Sequence, residues 1–355
     1  MSAEHGGRRA DHPAGVIDFS SNVNCFGPPE GVLKALREIT ADDISSYPDP
    51  GYPRLKGALA AHAGRAPEEI FLANGSVETF YWLASVLRPE RMLVVSPCFS
   101  EYALAGLGAG ARVLEHFLKP EDGFAFAAGK AAEAAVEADL VFLANPGSPS
   151  GALVEREALL ELAGFLKPGA VMVVDEAFME FCEEGEGHTL LPHVSERIWV
   201  SRSLTKFFSL AGLRIGYLVA PGDAVARLES RTPPWRVNRP AEKAALAALS
   251  DGEFIRTVPE RIATERERFS SLLEGTGSLR AFPSAANFIL LAIERAGCNA
   301  PGLKDALLRR GFLIRDASNF SGLSDGFVRL AVRREADNRA LAREIGALAP
   351  GGGPA

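Results

Sequence analysis

From residue 70 to about residue 219 the chain repeats one pattern. A short unbroken apolar run leads into small or polar residues, and apolar positions at helical spacing follow. The runs occupy residues 70–72, 92–95, 111–116, 140–144, 171–174 and 198–200. Between them, sets such as Phe80, Leu83, Ala84 and Leu87 recur every three or four residues, the mark of an amphipathic helix. Strands that are apolar throughout lose both faces to the interior. The alternation therefore predicts an α/β fold whose mainly parallel sheet is covered by helices on both sides.

The flanks read differently. Residues 16–19 are a short apolar stretch, and Pro28-Pro29 introduce a helix carrying Val32, Leu33, Leu36 and Ile39. A rigid turn, Tyr47-Pro48-Asp49-Pro50-Gly51-Tyr52, precedes a helix with Leu55, Leu59 and His62. Beyond Trp235, helical stretches at 241–249 and 255–273 lead into strand-like runs at 288–292, 312–314 and 327–332, with a last helix at 335–348. This change of texture predicts two domains. The large one spans residues 40–240, and a smaller α+β domain combines 1–39 with 241–348. The Gly- and Pro-rich residues 349–355 read as a disordered tail.

Composition narrows the function classes. At 355 residues, 47% of them hydrophobic, the chain has room for such a pair of domains. A net charge of −7 argues against a protein that coats nucleic acid or an anionic membrane, though a local cationic pocket remains compatible with it. Cys25, Cys98, Cys182 and Cys298 are scattered, with no Cys-x-x-Cys pair and hence no zinc signature. No apolar signal core or membrane-length run is found, so a cytoplasmic setting is expected.

Chemistry concentrates after the apolar runs, where parallel α/β sheets bind their ligands. Lys206 lies among Phe207, Phe208 and Leu210, with Ser203 one helical turn before it, Thr205 adjacent and Arg214 following. An apolar setting lowers a lysine's pKa, and a neutral amine can form a Schiff base with an aldehyde. Hydroxyls and a guanidinium beside it could hold a phosphate. Aldehyde and phosphate together describe pyridoxal phosphate. Asn74-Gly75-Ser76 opens a helix and offers backbone N–H groups to an anion. Phe99 offers a ring face for stacking. Asp175, ending an apolar run, could keep a pyridine nitrogen protonated; the Asp175-Glu176 pair could also bind magnesium, but no Gly-x-x-x-x-Gly-Lys loop accompanies it.

Asn74-Gly75-Ser76, Pro149-Ser150-Gly151, Asp175-Glu176-Ala177 and Ser203-Leu204-Thr205-Lys206, with Arg214 and Arg329, resemble the ordered signature of fold-type I pyridoxal-phosphate aminotransferases. The resemblance covers nearly the whole chain. It implies a large domain with a mainly parallel seven-stranded sheet and pyridoxal 5′-phosphate as cofactor. Lys206 would carry the cofactor as a Schiff base and Asp175 would pair with its ring nitrogen. Phe99 would stack on the ring, while Gly75, Ser76, Ser203, Thr205 and Arg214 would surround its phosphate. Tyr47 resembles the tyrosine that reaches the neighbouring subunit's cofactor phosphate, which implies a homodimer with shared active sites. Arg329 resembles the arginine that grips the substrate α-carboxylate.

Two branches of that superfamily compete: histidinol-phosphate aminotransferases and the threonine-phosphate decarboxylases of cobalamin biosynthesis. His5-Gly6-Gly7, Asp18 to Asn24, Phe99-Ser100-Glu101-Tyr102, Pro234 to Asn238 and Leu313 to Leu323 resemble the decarboxylases more. That resemblance implies that His5, Gly6, Asn22 and Arg315 approach a phosphorylated amino-acid substrate, with Arg315 on its phosphate. Ser148 departs from the pattern, standing where the family usually has an Asn donor to the cofactor's 3-oxygen; Asn145 is out of register for that role. Phe178 replaces the Tyr that aminotransferases usually direct to the same oxygen, as the decarboxylases also do. A non-catalytic sensor on this fold would need an attached DNA-binding module, and the residues before Val16 are too few to hold one.

Overall fold

The computed structural model describes residues 6–348. Its centre is a seven-stranded sheet built from β2 (Ile70–Ala73), β3 (Arg91–Ser96), β4 (Arg112–Phe117), β5 (Leu140–Ala144), β6 (Val171–Asp175), β7 (Ile198–Ser203) and β8 (Gly216–Val219). The strand order is β2-β8-β7-β6-β5-β3-β4. Only β8 runs against its neighbours, pairing antiparallel with both β7 and β2. The other pairs are parallel. This is the sheet expected from the apolar runs, with β8 emerging from an apolar stretch that carried no separate strand signal.

Alternation along each strand distributes the core. In β6, Met172 and Val174 enter the cluster on one face, while Val171 and Val173 enter the cluster on the other. In β5, Val141 and Leu143 face one way and Leu140 and Phe142 the other. At the last position of β6, the same period sends Asp175 to the face of Val173 and Phe142.

A second core forms around an antiparallel sheet of order β12-β13-β10-β9, from β9 (Leu279–Ala281), β10 (Phe288–Ile293), β12 (Arg315–Asp316) and β13 (Phe327–Ala331). Beside it, β1 (Ile17–Asp18) pairs in parallel with β11 (Phe312–Leu313). Phe19, Phe269, Ile289, Leu330 and Leu341 join in one cluster there. The stretch at 16–19 is thus stitched to the C-terminal part of the chain. Val32 and the helix Arg239–Leu249, by contrast, pack in the same cluster as the large sheet. No helix among the described residues is long and apolar enough to cross a membrane.

Candidate active site

The carboxyl ends of β5, β6 and β7 open into a cavity of about 550 Å³, whose lining includes Ala144, Asp175, Thr205 and Lys206. Chain order reverses across β5 and β3, the topological position at which such sheets hold ligands. The far wall comes from the second core, through Arg315, Phe320 and Arg329. Gly6 and Ser20 to Val23 close a third side.

One end of this cavity is shaped for a phosphate. Gly75 precedes the helix Ser76–Leu87 at φ +79, a conformation that favours glycine, and its Cα lies against the Arg214 guanidinium. A Cβ at Gly75 would sit 2.5 Å from Arg214 Nη2. At Gly216, on the passing strand, a Cβ would collide with the backbone nitrogen of Ser76. Both glycines therefore permit a close approach that leaves the helix start open to an anion. Ser203 and Thr205 share a hydroxyl hydrogen bond of 2.7 Å beside it. The donor set of backbone N–H, two hydroxyls and a guanidinium fits a phosphate dianion.

Lys206 lies deeper. Burial first, and then the charges of Arg329 and Arg214, lower its pKa to about 8, while Asp175 opposes the shift. A substantial fraction of its amine is then neutral near physiological pH and able to attack a carbonyl. Its segment is held from the N-terminal side: Asn24 donates its backbone N–H to the Lys206 carbonyl and its side-chain amide to the Phe207 carbonyl.

Asp175 and Glu176 are sequence neighbours with opposite surroundings. Asp175 Oδ2 accepts a 2.6 Å hydrogen bond from the Tyr102 hydroxyl, and Oδ1 accepts the Ala177 N–H. Burial raises its pKa to about 6, with Tyr102 and the Ala177 N–H opposing. Glu176 turns to the other side, where Oε2 accepts from Arg202 Nε and Nη2 and from the Thr189 hydroxyl, and Oε1 accepts the Leu190 N–H. It is a closed structural ion pair. The residue to its N-terminal side faces the cavity.

The end of the cavity lined by Arg315 and Arg329 is cationic. Arg315 and Arg329 are direct partners across the β12–β13 ladder, so their side chains leave the same face. Arg315 donates to Asn319 Oδ1 at 2.7 Å, and its guanidinium stands 5.1 Å from the Phe320 ring. Arg329 donates to Ser148 Oγ at 3.1 Å and to the Ser20 carbonyl at 3.2 Å. Burial and the charge of Arg315 push the Arg329 pKa down to about 9, with the Asp18 carboxylate opposing. Two buried polar atoms of lining residues, Arg329 Nε and Asn22 Oδ1, lack a hydrogen-bond partner among the described residues.

The structure thus brings Gly6, Asn22, Ser76, Phe99, Ser148, Asp175, Thr205, Lys206, Arg214, Arg315 and Arg329 to one cavity, with Gly75 and Ser203 at its edge. Tyr47 stands apart, 76% exposed, its ring stacked 4.4 Å from Trp235. His5 lies outside the described residues, as does the stretch 349–355. Gly6 could not carry a Cβ, which would strike the Ser20 carbonyl, and Gly7 N–H donates to Ser20 Oγ at 2.8 Å. Asn145 is tied to Val154 through both backbone groups and does not line the cavity. The residue missed by sequence reasoning is Tyr102. It stands three positions after Phe99, and that spacing alone could have placed both on one side of a helix start.

The family model for aminotransferase class I and II matches residues 14–345. Over 345 residues the chain is 34% identical to the threonine-phosphate decarboxylase of Salmonella typhimurium, covering 97% of this chain and 94% of that protein. It is 32% identical over 321 residues to a histidinol-phosphate aminotransferase of Caldanaerobacter subterraneus, covering 88% of each. The crystal structure of L-threonine-O-3-phosphate decarboxylase from Porphyromonas gingivalis superposes with a TM-score of 0.81 at 28% identity, over 92% of this chain and 97% of that one.

Proposed function

The chain belongs to the aminotransferase class I and II family, and from that premise we propose that it decarboxylates O-phospho-L-threonine to (R)-1-aminopropan-2-yl phosphate, a step of cobalamin biosynthesis. Its cofactor is pyridoxal 5′-phosphate, as is typical of the family, and the cradle at Gly75, Ser76, Ser203, Thr205 and Arg214 suits the phosphate of that group.

The observation that carries the reading is the opposed pair Arg315 and Arg329. Like charges directly across an antiparallel ladder disfavour folding, with Cβ atoms only about 5 Å apart. Such a pair suits a ligand with two anionic groups a few bonds apart, and phosphothreonine carries its carboxylate and phosphate at that spacing. Arg329 would grip the carboxylate and Arg315 the phosphate. Asn22 and Gly6 close over the substrate, and His5 is proposed to join them. Binding at both ends fixes the torsion about Cα and so selects the bond that breaks.

When bound, the cofactor supplies an electron sink for the pair left at Cα. The chain does the rest. Arg329 holds the carboxylate until CO2 departs, Asp175 retains the proton at the ring nitrogen, and Lys206 Nζ returns a proton to Cα. Phe178, apolar where aminotransferases usually carry a tyrosine, favours decarboxylation over amino transfer, while Ser148 stands at the cofactor's 3-oxygen position with its hydroxyl engaged by Arg329. Exposed Tyr47 supports a homodimer in which it reaches the neighbouring cofactor phosphate.

Comparable identity to a histidinol-phosphate aminotransferase keeps transamination as the second reading. Incubating the protein with pyridoxal phosphate and phosphothreonine should yield CO2 and aminopropanol phosphate in equal amounts. Absence of CO2, together with amino transfer from glutamate to imidazoleacetol phosphate, would establish the second reading instead.

A further inference from the structure

Tyr102 is fully buried, and its hydroxyl donates to Asp175. Its ring is clamped on three sides. Phe142 stacks on it with centroids 5.3 Å apart at 14°, Phe80 meets it edge-on at 4.9 Å, and Phe99 does so at 5.8 Å. A phenol held this way has no alternative rotamer, so its oxygen is a fixed point in the site.

We infer that Tyr102 is a positioning residue for the cofactor: its hydroxyl holds Asp175 in one orientation and in its ionised, acceptor form, ready for the ring nitrogen. The inference rests on Asp175 being the ring-nitrogen partner, and it holds for decarboxylation and transamination alike.

The chemistry of the pair gives the direction. An ionised carboxylate only accepts, so the phenol must donate, and a 2.6 Å O–H···O contact is in the range of a charge-assisted bond. Burial acts against this by favouring the protonated carboxyl, and the nearby Glu176 adds to that push. A protonated Asp175 would offer an O–H to the ring nitrogen and forfeit the charge that keeps that nitrogen protonated. Tyr102 and the Ala177 N–H are the groups that counter the burial most, with a smaller contribution from the charge of Lys206. Because each oxygen of Asp175 has two lone pairs, the bonds from Tyr102 and Ala177 leave room for a third donor from the cavity. The phenol itself stays protonated, since burial and the adjacent carboxylate push its pKa well up.

The helix Glu101–Gly108 thereby serves two functions from one turn. Phe99 just before it offers a face to the ring, and Tyr102 in its first turn braces the acid at the ring's far edge.

The test is a double-mutant cycle read by cofactor affinity of the apoenzyme rather than by turnover. Tyr102→Phe, Asp175→Asn and the double variant are titrated with pyridoxal 5′-phosphate by equilibrium dialysis, and the visible spectrum of each loaded protein is recorded. Tyr102→Phe keeps the ring packing and is expected to weaken binding about tenfold, the worth of one hydrogen bond to a charged group. In the Asp175→Asn background the same change should cost nothing further. Wild-type affinity and spectrum in Tyr102→Phe would overturn the inference. So would an equal loss in both backgrounds, which would reduce Tyr102 to packing. If Asp175→Asn alone binds as tightly as wild type, the ring-nitrogen assignment itself falls. Should Tyr102→Phe not fold, Tyr102→Leu, which also lacks a donor, takes its place in the cycle, and its loss of affinity must be smaller beside Asp175→Asn than beside Asp175.

Discussion

The two ends of the cavity are built on opposite plans. At the phosphate cradle, backbone does the positioning: Gly75 and Gly216 let a helix start and a strand end approach closely, and the hydroxyls nearby satisfy each other. At the opposite end, long cationic side chains from neighbouring strands face each other, and Arg329 Nε has no hydrogen-bond partner among the described residues. The first end takes its shape from backbone packing. The second opposes two like charges across one ladder, a repulsion that the doubly anionic substrate proposed above would relieve. A bound cofactor and a passing substrate pose these different demands: one must be retained through many cycles, the other must enter and leave.

Variants can break that contrast, and Lys206→Ala, which belongs to both ends, should have the largest effect. Turnover is expected to fall by about 10⁴-fold or more, with loss of the visible band of lysine-bound cofactor, measured by CO2 release and absorbance. Arg329→Met should separate the ends. Removing a buried charge proposed to pair with the substrate carboxylate is expected to lower kcat/KM by about 10²- to 10³-fold while leaving the visible band in place. In the ligand-free protein the same change should raise the thermal midpoint, because an apolar side chain replaces a poorly compensated buried cation; the gain is about 1 kcal/mol. A fall in the midpoint would contradict the repulsion described above.

Gly216→Ala tests the opposite end. Its new Cβ meets the Ser76 backbone, an overpacking cost of about 1–3 kcal/mol. Cofactor affinity should drop by about tenfold or more, with KM for phosphothreonine little changed at saturating cofactor. The smallest effect is on pH. Because burial lowers the Lys206 pKa to about 8, its amine gains neutral fraction as pH rises toward that value. The rate of cofactor incorporation into apoenzyme should therefore climb from pH 6 and level off above about 8, as followed by stopped-flow absorbance.

Much of this was legible in the sequence, for unequal reasons. Runs such as 140–144 and 171–174 announce themselves because strands buried on both faces must be apolar at every position. The three-residue β9, with Arg280 exposed, carries no such signal, and β8 is hidden in a longer apolar stretch. Lys206, Asp175 and Arg329 stand out by type and setting. The bracing of Asp175 does not, since Tyr102 lies 73 residues away and only the sheet brings them together. Glu176 reads as an equal partner of Asp175 until Arg202 is seen bonded to it from the next strand. Nor does spacing reveal that Arg315 and Arg329 oppose each other, because ladder register is a property of the fold.

One consequence concerns the six residues from Phe19 to Asn24. At one end the Phe19 carbonyl accepts from Ala331 N–H, on the strand that carries Arg329; at the other, Asn24 binds the carbonyls of Lys206 and Phe207. The stretch works as a spacer bar between Arg329, proposed above to hold the substrate's carboxylate, and Lys206, proposed to act at its Cα. Reach between those two points is then set by residue count along a single strap, so a one-residue insertion there would act as a change of gauge for the reaction and leave both anchoring domains intact.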